Sequence, residues 1–203
     1  MAEGLATSVT LSLPRWLIDQ IPDLPGTLAT PEDQMALVHR LADRNWREGG
    51  GGPFAAIVVD AGTGELVSVG VNVVLGSGVS AGHAEVMALA LAQQRLGTWD
   101  LGAERDLALV VNWRPCVQCY GATLWSGVKH LVVAGEGPEL ERLTRFDEGP
   151  VVRDWAEQFE ARGITVTSDV LRDQALAVYR AYGESSATVY NARGSGPIDA
   201  VDA

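Results

Sequence analysis

His83 stands 33 residues ahead of Cys116, and the two fall in short motifs that make chemical sense only if the fold brings them together: His83-Ala84-Glu85 and Pro115-Cys116-Val117-Gln118-Cys119. One imidazole, two thiols and an adjacent carboxyl meet the needs of a catalytic zinc site. They supply three protein ligands, leave one coordination position for water, and provide a carboxylate to move protons. Cysteines three apart share one face of a helix and can chelate one ion. At a helix N-terminus the backbone N–H groups and the dipole favour thiolate over thiol. Pro115 suits such a start because no N–H donor is needed there. His83 opens a second predicted helix, so the fold has to aim two helix N-termini at one point.

With only two cysteines in the chain, spaced C-x-x-C and accompanied by His-x-Glu, a metal or redox role outweighs a structural disulfide. The 203 residues suffice for one domain with a full core. The formal net charge is −11, with no cluster of Lys and Arg. Nucleic-acid binding draws on several phosphate contacts from basic side chains, so this charge argues against a polyanionic partner and favours a small, neutral substrate. No apolar run approaches the roughly 18 to 20 residues that span a bilayer. Met1-Ala2-Glu3-Gly4 lacks the positively charged start of a secretory signal, and a cytoplasmic location is expected.

Thr30-Pro31-Glu32-Asp33 reads as a helix start, with a capping hydroxyl, a proline in the first turn and acids facing the positive helix end. Met35, Val38, Leu41, Ala42 and Trp46 recur at helical spacing up to the glycine run 49–52. Apolar, β-branched runs over 54–60 and 65–74, joined by the turn-rich Asp60-Ala61-Gly62-Thr63-Gly64, predict a hairpin. A helix from His83 to about Leu96, a strand over 107–112, a helix over 116–127 and a strand over 129–134 follow. Helix, strand and helix over 154–162, 164–167 and 170–182 complete the pattern. Alternating strands and helices imply a three-layer α/β/α sandwich around a mixed sheet of about five strands. The expected organisation is an N-terminal extension (1–29), one domain (30–182) and a tail (183–203), with cover of the active site as one reading of that tail.

The two motifs match the H-x-E…P-C-x-x-C signature of the zinc nucleobase deaminases. Over roughly residues 31–182 the chain resembles the cytidine deaminase-like superfamily, nearest to its guanine deaminase and tRNA adenosine deaminase branch. The resemblance implies one Zn2+ per chain held by His83, Cys116 and Cys119, with Glu85 as the proton shuttle. It gives Asn72 a contact to the ring edge of the substrate and the backbone N–H of Ala84 a contact to a carbonyl or ring acceptor. Phe54 and Trp113 are candidates for stacking walls, although aromatic residues near a sheet are core more often than ligand contacts. Arg145-Phe146-Asp147-Glu148-Gly149 is a further stretch from which substrate contact is expected, while His39 and His130 read as structural or surface residues.

The implied reaction is zinc-dependent hydrolytic deamination of a free purine-type nucleobase such as guanine, with release of ammonia. A tRNA adenosine, cytosine, another heterocycle or nucleoside, and a non-catalytic zinc-binding homologue are the alternatives. The resemblance also implies a homodimer. One departure concerns Arg114, which stands where this branch commonly has the Glu of Glu-Pro-Cys, and the sequence leaves its partner open.

Overall fold

The computed structural model describes residues 4–192. Of the segments named above, residues 1–3 of the extension and 193–203 of the tail lie outside the described residues.

A short helix, α1 (Arg15–Gln20), and a single 3-10 turn (Ile21–Asp23) precede α2 (Pro31–Arg47). The start of α2 is fixed as its sequence demands, since the Asp33 N–H donates to Thr30 Oγ1 at 3.1 Å. The hairpin follows as β1 (Ala55–Asp60) and β2 (Leu66–Val71), and Asp60 Oδ1 accepts from the Gly62 and Thr63 N–H groups in its turn. Next come α3 (Val74–Ser77), α4 (Ala84–Leu96), β3 (Leu107–Val111), α5 (Val117–Ser126) and β4 (His130–Val133). The chain continues through α6 (Glu139–Thr144), α7 (Trp155–Glu160), β5 (Thr165–Thr167) and α8 (Arg172–Gly183). Gly97 closes α4 in the left-handed conformation at φ 69°.

The five strands lie in the order β2-β1-β3-β4-β5. β1 runs antiparallel to both of its neighbours, whereas β3, β4 and β5 are parallel. A parallel pair needs a crossover, which α5 supplies between β3 and β4 and α6 with α7 between β4 and β5. Alternation along β1 separates two cores. Ala55, Ile57 and Val59 pack with residues of α2 and α8, while Ala56 and Val58 pack with residues of α4, α5 and α7. This is the three-layer α/β/α architecture with a mixed five-stranded sheet.

The second strand is shorter than its apolar run, because Asn72 turns the chain. Its Oδ1 accepts from the Val74 N–H at 3.2 Å, and α3 begins there. Both α3 and α6 are too short to give a periodic signal in the sequence. Among the described residues no helix is long and apolar enough to cross a membrane.

Candidate active site

The site is built where β3 delivers the chain to Pro115. Asn112, fully buried just past that strand, donates from Nδ2 to the Pro53 carbonyl at 2.8 Å and accepts at Oδ1 from the Ala55 N–H at 3.2 Å. Its own carbonyl accepts from Tyr179 Oη of α8 at 2.8 Å. Cys116 then sits at the N-cap of α5, and His83 holds the same position on α4. Two positive helix poles therefore face one spot. Gly70 on β2 allows α4 to lie close enough, because a Cβ there would come within 2.3 Å of the Ala84 carbonyl oxygen and 2.5 Å of the Ala88 nitrogen.

His83 Nδ1 lies 3.4 Å from Cys116 Sγ and 3.4 Å from Cys119 Sγ. The three ligand atoms fall within 4.8 Å of one another. Tetrahedral zinc, at about 2.3 Å from sulfur and about 2.05 Å from nitrogen, holds such N and S atoms about 3.5 Å apart. The donor set and its spacing therefore fit that ion, and three ligands leave a position open.

Charge is concentrated here. The Cys119 thiol beside Cys116, helped by His83 and opposed by burial, draws the Cys116 thiol down to about 4. Cys119 is pushed well up by its bond to Cys116 and by burial. Burial alone would lower the His83 pKa, but the Cys116 hydrogen bond and the charges of Cys116, Glu85 and Glu148 raise it to about 9. Glu85, 7% exposed, is raised by burial and then by Cys116. Glu148 is raised well above the carboxylate range by burial, Cys116 and Glu85, with Arg114 pulling the other way.

These groups open on a cavity of about 470 Å³. His83, Glu85, Cys116, Asn72, Phe54, Trp113 and Glu148 are among the residues that line it. Asn72 is 1% exposed, and Phe54 packs edge-on against Phe146 at 5.3 Å between centroids. Trp113 lines the cavity and packs edge-on against Tyr179 at 5.5 Å between centroids. Cys119 and Ala84 are fully buried and are not among the side chains lining the cavity.

Two contributors carry weak sequence signals. Glu148 lies in the flagged stretch 145–149, but only the fold reveals it as a second carboxyl facing the site. Tyr190 comes from the C-terminal segment, where its hydroxyl meets the Gly52 backbone and the Asn72 side chain. Asn191 fastens that segment down, accepting from the Asp147 N–H at 3.0 Å and donating to the Arg145 carbonyl at 2.9 Å.

Arg114 is 7% exposed, pairs with Glu141 of α6 at 3.5 Å and also lines the cavity. His39 is buried in α2, and His130 bridges Asp106 and Thr165 at the start of β4; neither is among the residues lining the cavity.

Residues 29–135 match the family model for the cytidine and deoxycytidylate deaminase zinc-binding region. The chain is 32% identical over 124 residues to a guanine deaminase of Bacillus subtilis strain 168, covering 61% of this chain and 76% of that protein. It is similar to the solved structure of guanine deaminase from Nitrosomonas europaea, with a TM-score of 0.82, 42% identity, and 88% of this chain and 98% of that one covered. A solved complex with 2,6-diaminopurine aligns with a TM-score of 0.83 at 43% identity, covering 92% of this chain and 98% of its own.

Proposed function

The chain belongs to the cytidine and deoxycytidylate deaminase family, whose zinc-binding region spans just over half of it, and from that premise we propose that it hydrolytically deaminates guanine. One observation carries the reading: a buried carboxyl, Glu85, shares a cavity of about 470 Å³ with a His-Cys-Cys triangle spaced for zinc. Likeness to guanine deaminases over most of both chains sets the substrate as a purine base.

His83, Cys116 and Cys119 would hold one zinc ion per chain, and the ion when bound makes hydroxide available near neutral pH. Glu85 takes one proton from the attacking water and passes it to the ring nitrogen beside the reacting carbon, then takes the remaining proton of the added hydroxyl and delivers it to the departing amine. A C–O bond forms, the C–N bond to the amine breaks, and ammonia leaves. Glu148, raised well above the carboxylate range by burial, is a second carboxyl lining the cavity. Asn72 binds the ring edge of the base, Phe54 and Trp113 wall its faces, and the Ala84 N–H meets a ring acceptor. The enzyme acts on a free base in the cytoplasm and assembles as a homodimer, a state that the superfamily resemblance supports.

Ammonia release from guanine, adenine, cytosine, their nucleosides and tRNA by zinc-loaded protein tests this directly. Release from guanine, lost in Glu85→Gln, is the expected result. Release from another substrate, or from none, would overturn the assignment.

A further inference from the structure

Among the described residues that line the catalytic cavity, Arg114 is the only Lys or Arg. It is buried, and its guanidinium is a fork of N–H donors with no acceptor of its own. Yet its one ion pair among the described residues is the 3.5 Å contact of Nη2 with Glu141. Nη1 is buried and meets no hydrogen-bond partner there. The main chain holds the residue in place, since the Arg114 N–H donates to the Gly135 carbonyl at 2.9 Å and Pro115 follows. A buried donor left unpaired is costly, and a ligand that brings an acceptor removes that cost.

We propose that Arg114 is a specificity-determining residue whose guanidinium donates to the exocyclic carbonyl oxygen of the bound base, so that the cavity selects oxopurines. The inference rests on the purine reading of the site. The kind of acceptor follows from charge. Glu85, Asp147 and Glu148 line the same cavity, so an anionic ligand would face three carboxyls for one guanidinium. A neutral carbonyl takes the donor without that opposition.

The other polar groups of the cavity leave that oxygen unclaimed. Asn72 and the Ala84 N–H serve the ring edge and a ring acceptor. Asn191 Nδ2 is spent on the Arg145 carbonyl, and the Tyr190 hydroxyl on the Gly52 backbone and the Asn72 side chain. Ser80 and Gln118 are exposed. Guanine has one exocyclic amine, which leaves, and one exocyclic oxygen, which stays. A site that commits a buried donor to that oxygen rejects a base without it, because the donor then remains unpaired.

Binding at equilibrium tests this apart from turnover. Hypoxanthine has the oxygen but no amine at the carbon that reacts in guanine, and purine has neither. For the zinc-loaded wild type, isothermal titration calorimetry is expected to give a Kd for hypoxanthine about 10- to 100-fold below that for purine. In Arg114→Met, which keeps the stem and removes the donors, the ratio falls to within about threefold. Glu141→Gln breaks the ion pair but keeps the guanidinium, and the ratio survives. A purely structural ion pair would instead lose the ratio equally in both variants, and that result would overturn the proposal. So would an Arg114→Met variant with the wild-type ratio, or a wild type that binds the two bases alike, a result that needs no variant to fold. Binding of neither base would overturn it together with the purine reading. No arm depends on ammonia release, so selection of hypoxanthine by a protein inert toward guanine would uphold the role of Arg114 and reject only the deamination.

Discussion

Tyr179 Oη donates to the Asn112 carbonyl across 2.8 Å, joining the last helix to the residue from which the cysteine motif departs. Both residues are fully buried. The hydrogen bond therefore fixes the direction of the chain through Trp113 and Arg114 into Pro115, the residue before the first cysteine ligand.

Tyr179→Phe keeps the ring and strips that bond, leaving a buried carbonyl without its donor. The expected loss is about 1–3 kcal/mol, which lowers the melting temperature by several degrees, at about 2–4 °C per kcal/mol for a chain of this size. Differential scanning calorimetry reads it, and an unchanged melting temperature would show that the bond contributes nothing.

Glu85→Gln retains shape and burial while removing the mobile proton. A fall in kcat of about 10²- to 10⁴-fold is expected, with zinc content by mass spectrometry equal to that of the wild type. Activity within tenfold of wild type would falsify the shuttle role.

Gly70→Ala forces a methyl group against the backbone of α4 at the Ala84 carbonyl and the Ala88 nitrogen. Backbone cannot rotate away as a side chain does, so the helix and its two site residues must shift, at a cost of about 1–3 kcal/mol. Weaker zinc retention during dialysis against a chelator is the expected readout. Retention equal to wild type would show that β2 and α4 tolerate the displacement without disturbing His83.

His39 supplies a pH dependence. Burial pushes its pKa down from 6.5 to about 4, against a weaker opposing pull from the Leu171 backbone. The unfolded chain takes up the proton as pH falls through 6.5 while the folded chain refuses it until about 4, so stability drops across that window as pH is lowered. The full effect is about 3 kcal/mol. In His39→Leu the urea midpoint should vary less between pH 6.5 and 4 than in the wild type; an identical dependence would assign the acid sensitivity to other groups.

The parts of the site that the sequence displays are those with a local signature. The caps at Thr30, His83 and Cys116, the stop at Gly97 and the turn at Asp60 each work within a few residues of themselves, so their signals survive in one dimension. Glu148 and Tyr190 act only after a return of the chain over long separations, and nothing beside them marks their destination. Arg114 illustrates the same limit. Its charge is obvious in the sequence, but its partner Glu141 lies on a helix of six residues, too short for periodicity to reveal. Trp125 and Trp113 differ only in their surroundings, 84% against 2% exposed, which no neighbouring residue marks in the sequence.

The division of the ligands between α4 and α5 makes metal uptake a report on the whole sheet. His83 hangs from a helix seated on β2 and β1, whereas the cysteines follow β3, so their triangle exists only while all three strands are aligned. An unfolded chain keeps the Cys-x-x-Cys pair but loses the imidazole from the set. A titration with a coloured divalent ion therefore counts assembled molecules, and the absorbance of its mixed nitrogen–sulfur complex becomes a folding signal independent of any substrate.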